Sequence, residues 1–162
     1  MRKKVMSLDE AVAFVEHLRQ SGKDVVFTNG VFDLLHPGHV RYLEAARREG
    51  DALIVAINSD RSVQAIKGPL RPINPADERA EVLAALTCVD AVVVFEEDDP
   101  QQIIGRLQPD VLVKGADWAH DAIIGRETVE ARGGRVVRVA LAEGQSTSAI
   151  IRKIRGANVD IT

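Results

Sequence analysis

Short runs of β-branched and aliphatic residues recur along the chain, and between them lie segments whose apolar positions fall three or four apart. The runs Asp24–Thr28, Ala52–Asn58, Ala91–Phe95, Val111–Lys114 and Val136–Ala140 read as strands. They are apolar without clean alternation, as expected of strands covered on both faces of a parallel sheet. Helical patterns occupy Gly38–Glu49, Pro75–Leu86, Pro100–Leu107 and Asp121–Arg132. A leading helix starts at Ser7-Leu8-Asp9-Glu10, whose Ser and Glu spacing fits a capping box, and a closing helix starts near Ser146. The alternation predicts an α/β fold: a doubly wound, mainly parallel five-stranded sheet with helices on both faces.

Ligands of such sheets bind beyond the carboxyl ends of the strands. Thr28-Asn29-Gly30 follows the first strand, Asn58-Ser59-Asp60 the second, and Lys114-Gly115-Ala116-Asp117 the fourth. Gly144-Gln145-Ser146-Thr147 follows the fifth, so every candidate segment falls at one edge of the sheet. No repeat, linker or low-complexity stretch interrupts the pattern, and residues 1–162 are expected to form a single domain with a fraying end at Ala157–Thr162.

With 162 residues the chain can bury a proper core, and 46% hydrophobic with 28% charged residues is ordinary for a globular protein. The net charge of −3 argues against a nucleic-acid partner, which calls for a basic face. Cys88 is alone, so no internal disulfide framework exists, which suits the cytoplasm. No apolar stretch reaches membrane-span length, and Arg2-Lys3-Lys4 leads into an amphipathic helix rather than a signal segment. A cytoplasmic chain without a membrane partner is the expectation.

The chemistry gathers in Phe32-Asp33-Leu34-Leu35-His36-Pro37-Gly38-His39, after the apolar run Val25-Val26-Phe27. It places two histidines where a strand gives way to a helix. Unpartnered N–H groups and the helix dipole favour anions there. Gly30 permits a close backbone approach, Pro37 suits a first helical turn, and Gly38 lets the backbone pass near a ligand. The result is a phosphate cradle with two imidazoles. An ordinary helix start is the plain alternative for either histidine alone. Metal coordination is the other rival, but His17, His120 and Cys88 are distant in sequence and zinc wants three or four such ligands.

The full string Thr28-Asn29-Gly30-x-Phe32-Asp33-x-x-His36-x-Gly38-His39 resembles the signature of the cytidylyltransferase-like nucleotidyltransferases. Within that superfamily the chain is most similar to the D-glycero-β-D-manno-heptose 1-phosphate adenylyltransferases, the ADP-heptose synthases. The similarity runs from about Leu8 to Ile154 and includes Ala56-Ile57-Asn58-Ser59-Asp60, Lys67-Gly68, Arg71-Pro72, Val113-Lys114-Gly115-Ala116-Asp117 and Ser146-Thr147-Ser148. It implies a Rossmann-like form of the doubly wound sheet. It also implies transfer of AMP from ATP to a heptose 1-phosphate, giving ADP-heptose and pyrophosphate for bacterial surface polysaccharides such as lipopolysaccharide.

By the same resemblance, His36 and His39 contact the triphosphate and stabilise the transition state of an in-line displacement at the α-phosphate, with Lys67 beside them as a catalytic cation. Thr28, Asn29, Gly30, Phe32, Asp33, Gly38 and Asn58 belong to the nucleotide and substrate site, with Asp33 as an organiser of the loop and histidines. Ile66 to Pro72, bracketed by Gly and Pro, reads as a loop carrying Lys67 and Arg71 toward phosphates; a solvated basic loop is the alternative. Arg79 is a further candidate, although Asp77-Glu78-Arg79 also reads as a polar helix face. Lys114, Gly115 and Asp117 border base and ribose, with packing as the plain role for Trp118. Ser146, Thr147 and Ser148 offer helix caps and phosphate or ribose contacts together. The family commonly has threonine where this chain has Ser148, and the hydroxyl is kept.

Mg²⁺ is expected with ATP, held mainly by phosphates and water, and no protein ligand for it is identified. A sugar phosphate nucleophile, with a second pKa near 6, is largely ionised at neutral pH and requires no general base. A homodimer is implied by resemblance alone. Part of the family fuses the adenylyltransferase to a sugar kinase; here the expectation is that the kinase step resides elsewhere. Two other functions stay open: a cytidylyltransferase acting on glycerol 3-phosphate or another alcohol phosphate, and a non-catalytic adenine-nucleotide sensor.

Overall fold

A computed structural model describes residues 3–141 and 146–157. The first helix, α1 (Leu8–Gln20), starts on the expected capping box: the Glu10 N–H donates to Ser7 Oγ at 3.1 Å and the Ser7 N–H to the Glu10 carboxylate at 2.9 Å. Five strands follow, β1 (Val25–Gly30), β2 (Ala52–Asn58), β3 (Ala91–Phe95), β4 (Val111–Gly115) and β5 (Arg135–Val139). All pair in parallel in the order β3-β2-β1-β4-β5. The order reverses at β1, which has β2 on one side and β4 on the other, so the crevice of a doubly wound sheet opens there.

Both faces are covered. Phe27, Ile54, Val93 and Leu112 pack beneath α1, α5 (Gln101–Leu107) and α6 (Arg126–Ala131). Val26, Leu53, Val55 and Val113 pack beneath α2 (Pro37–Arg47) and α4 (Ala76–Ala84). Successive residues of one strand thus enter opposite cores, which is why the runs show no polar alternation. β1 runs two residues and β4 one residue further than the sequence pattern: Asn29 and Gly30 end β1, and Gly115 ends β4, rather than lying in the turns after them.

Two elements correct the sequence reading. A helix, α3 (Asp60–Lys67), occupies a stretch without a helical assignment, capped by Ser59, whose Oγ accepts from the Ser62 N–H at 3.1 Å. It stops at Gly68, whose φ of 96° a residue with a Cβ adopts only with strain, so Lys67 ends a helix instead of riding in a loop. The expected helix over Asp121–Arg132 is broken into a 3-10 turn at His120–Ala122 and α6, because Gly125 turns left-handed (φ 91°) between them. The closing helix α7 (Thr147–Gly156) starts where expected, with Ser146 Oγ accepting from the Ala149 N–H at 2.9 Å. Gly144 and Gln145 of the candidate turn, and Asn158–Thr162 of the expected fraying end, lie outside the described residues. Among the described residues no helix is long and apolar enough to cross a membrane.

Candidate active site

A cleft of about 330 Å³ opens at the carboxyl ends of β1 and β4. Asn29 and Gly30 reach it from β1, and Phe32, Asp33, His36, Gly38 and His39 from the β1–α2 connection. Lys67 and Arg71 close one side, Lys114, Gly115 and Asp117 another, and Ser146, Thr147 and Ser148 come in at the start of α7. Segments more than a hundred residues apart in sequence meet here, as the one-edge rule predicts. The candidates Thr28, Asn58 and Arg79 are not among the lining residues.

The histidines are held by local geometry. Phe32 adopts a left-handed backbone (φ 48°), and its ring lies so close over Gly30 that a Cβ there would come within 2.8 Å of Phe32 Cε2. The same ring sits 5.2 Å from the His39 imidazole. His36 is extended at the helix cap, with Pro37 opening α2. The imidazoles of His36 and His39 stack with centroids 3.8 Å apart, and the His36 backbone N–H donates to His39 Nδ1 at 3.3 Å. Burial, with the His36 charge as a second cause, pushes the His39 pKa down to about 4; burial also lowers that of His36. His39 is therefore neutral near pH 7, and with Nδ1 accepting, its proton resides on Nε2, which is free to donate. Buried His36 Nδ1 and Asn29 Oδ1 find no hydrogen-bond partner among the described residues.

Asp33 is an organiser, but of a different segment from the one expected. Its buried carboxylate accepts from Arg71 Nε at 2.8 Å, from the Ile73 N–H at 2.8 Å and from the Asn74 N–H at 2.9 Å. Burial raises its pKa, yet the Asn74 and Ile73 N–H groups and Arg71 outweigh that and hold the carboxyl below its usual range. Asp33 thus ties the 71–74 segment to the histidine connection, while Arg71 keeps its two terminal nitrogens for the cleft.

The three absentees support the cleft from beneath. Arg79 belongs to no solvated polar face: its side chain is fully buried. It donates to Asn74 O (2.9 Å), Val31 O (2.7 Å), Asn58 O (2.9 Å) and Asp60 Oδ1 (2.9 Å), joining three loops at the sheet edge. Four of its five N–H donors are thus spent inside the protein, and the side chain is buried outside the cleft lining. Asn58 gives its carbonyl to Arg79 and donates Nδ2 to Ser62 Oγ at 3.0 Å. Thr28 Oγ1 shares a 2.7 Å hydrogen bond with Tyr42 Oη, which donates to Val113 O at 3.2 Å and so bridges β1 and β4.

At the β4 side, Lys114 is half-buried with Nζ 5.2 Å from the Trp118 ring centroid. Burial lowers its pKa to about 8, against the opposing charge of Asp117. At the other side, Thr147 Oγ1 donates to Leu34 O at 2.9 Å and Ser146 caps α7, so these hydroxyls do the structural work and still border the cleft. Among the described residues no group of three or more His, Cys, Asp or Glu side chains could hold a metal ion. The charged lining is mainly cationic, suited to an anion that brings its own counter-ion.

Residues 27–153 match the family described as Cytidylyltransferase-like. The chain belongs to the cytidylyltransferase-like family. It is 50% identical over 153 residues to the Bifunctional protein HldE of Gluconobacter oxydans, covering 94% of this chain and 32% of that protein. It is 54% identical over 151 residues to the Bifunctional protein HldE of Ectopseudomonas mendocina, with 93% and 32% covered. The chain therefore spans about a third of the length of these relatives. Among solved structures, the lipopolysaccharide core biosynthesis protein from Thermoplasma volcanium superposes with a TM-score of 0.62 at 28% identity, over 76% of this chain and all of that one. Pantoate-beta-alanine ligase from Francisella tularensis, solved with an ATP analogue and beta-alanine, gives 0.61 at 14% identity over 91% and 69% of the two chains, a likeness of fold.

In this cytidylyltransferase-like cleft, sequence reasoning missed Val31, Tyr42 and Leu141 and gave Trp118 only a packing role. All four line the site, and Trp118 is 45% exposed rather than packed away. Tyr42 carried a usable signal: it sits three residues beyond His39 and so shares its helix face.

Proposed function

We propose that this cleft transfers AMP from ATP to D-glycero-β-D-manno-heptose 1-phosphate, releasing pyrophosphate and forming ADP-heptose. The observation that carries the reading is the convergence of stacked His36 and His39 with Lys67 and Arg71 on one cleft. The choice of substrates rests on the sequence resemblance to heptose 1-phosphate adenylyltransferases, and the likeness to the HldE proteins supports it.

The chemistry follows from the lining. An oxygen of the sugar phosphate attacks the α-phosphorus, the bond to the β-phosphate oxygen breaks, and pyrophosphate leaves with the electron pair. The nucleophile is already ionised, so no side chain need accept a proton. His39 offers Nε2–H, and His36 its ring N–H, to phosphate oxygens whose charge grows in the transition state. Lys67 acts as a point charge, and Arg71, with Nε fixed by Asp33, presents its terminal nitrogens to phosphate. Ser146, Thr147 and Ser148 place hydroxyls at the start of α7, and Asn29 Oδ1 is an acceptor in search of a donor. Mg²⁺ supplies charge neutralisation and is written as part of the MgATP substrate, because the described side chains form no carboxylate cage for it. The same reading places the chain in the cytoplasm as a homodimer.

The test pairs ATP or CTP with D-glycero-β-D-manno-heptose 1-phosphate or glycerol 3-phosphate and follows pyrophosphate. Release with ATP and the heptose phosphate alone supports the reading. Release with CTP and glycerol 3-phosphate alone transfers the mechanism to a cytidylyltransferase. ATP binding without release in any pairing points to a sensor.

A further inference from the structure

Lys114 is a half-buried cation with no hydrogen bond or salt bridge among the described residues. Asp117 acts on it only through space, and the Trp118 ring contributes a cation–π contact. Burying a charge is costly unless an opposite charge compensates, and Lys114 belongs to the lining of an open cleft. The missing partner is an anion that arrives with a substrate.

Topology says which anion. Lys67 and Arg71 come from the chain that leaves β2, Lys114 from the end of β4, and the histidines from the end of β1 between them. Lys67 and Arg71 also open onto a second groove lined by Arg152 and Arg155, so positive charge accumulates on that side, where a polyphosphate is best held. In-line displacement brings the nucleophile in opposite the leaving group. With pyrophosphate leaving toward Lys67 and Arg71, the attacking phosphate enters from the β4 side. We infer that Lys114 anchors the phosphate group of the acceptor, opposite the cations that hold the leaving pyrophosphate. This assignment rests on the adenylyl-transfer reading above. It gives the half-buried ammonium a partner, and it separates a donor pole from an acceptor pole within one cleft.

The experiment uses Lys114→Met and Lys114→Arg in the full chain, with Mg²⁺ and α,β-methylene-ATP filling the donor side. Inorganic phosphate and D-glycero-β-D-manno-heptose 1-phosphate are titrated separately, read by the fluorescence of the single tryptophan, Trp118, and by calorimetry. Lys114→Met is expected to weaken both phosphates by roughly 10–100-fold while ATP-analogue affinity stays within about twofold, and Lys114→Arg to restore part of the loss. In turnover the change should fall on the acceptor KM more than on kcat. Loss of ATP-analogue affinity with phosphate binding intact would overturn the assignment and give Lys114 to the nucleotide. Unchanged binding of all ligands, or equal loss of all, would overturn it too. If the wild type ignores the heptose phosphate but binds inorganic phosphate through Lys114, the substrate reading fails and the anchor stands. If the wild type binds neither, the anchor fails.

Discussion

Asp33 and Arg71 meet through a 2.8 Å hydrogen bond between carboxylate and Nε, with the Asp33 side chain fully buried and that of Arg71 12% exposed. The pair joins the histidine connection to the segment that follows α3, so a change at Asp33 acts on both sides of the cleft. Asp33→Ala strands the guanidinium and two N–H groups, and a loss of about 3–5 kcal/mol is expected from breaking such a buried pair. Urea unfolding of wild type and variant checks this. A shift below about 1 kcal/mol would show that solvent or another acceptor replaces the carboxylate.

The histidines should be removable without unfolding the protein. His36→Ala and His39→Ala are each expected to lower kcat by roughly 10²–10³, the range for loss of one transition-state donor, with ATP affinity changed much less. Pyrophosphate release and ATP-analogue calorimetry on the same samples separate the two quantities. Preserved turnover in both variants would remove the histidines from the chemistry.

Acid should destabilise the fold through His39. Its folded pKa of about 4 lies below the ordinary 6.5, so between those values the unfolded chain binds the proton that the folded chain rejects. Stability is therefore expected to be full above about pH 6.5 and to decline as pH falls toward 4, with the slope reduced in His39→Phe. Thermal midpoints across that range provide the check, and equal slopes in both proteins would contradict the assignment.

Arg79 is expected to behave as a structural cross-link with functional consequences. Arg79→Lys keeps the charge but cannot span Asn74, Val31, Asn58 and Asp60 at once. Loss of about 2–4 kcal/mol should follow from the unpaired buried carbonyls. ATP affinity in the folded fraction should fall less than stability. Direct ligation of ATP by Arg79 would reverse that order.

What the sequence disclosed depended on how local the determinants were. The β1–α2 connection was legible because Gly30, Pro37 and Gly38 punctuate an apolar strand and His36 and His39 stand a helical turn apart. The parallel sheet was legible because buried strands lack alternation. Helix α3 was not: it has eight residues, of which only Ser62 and Val63 are buried, so its apolar stripe is nearly absent. Arg79 was misread because a charged residue beside Asp77 and Glu78 looks solvated. Its burial depends on acceptors from two distant segments, at Val31 and at Asn58, beside the nearby Asn74, a largely tertiary fact. Lys114 was placed at the site, but its lack of a partner becomes visible only when the chain is folded.

The most direct measurement is phosphorus NMR of the protein with MgATP and D-glycero-β-D-manno-heptose 1-phosphate, carried to completion. The expected result is one pyrophosphate formed for each sugar phosphate consumed, with the matching pair of diphosphate-ester resonances of ADP-heptose and no free AMP. Accumulation of AMP with the sugar phosphate untouched, or an unchanged mixture from folded protein that binds both ligands, would contradict adenylyl transfer to the heptose.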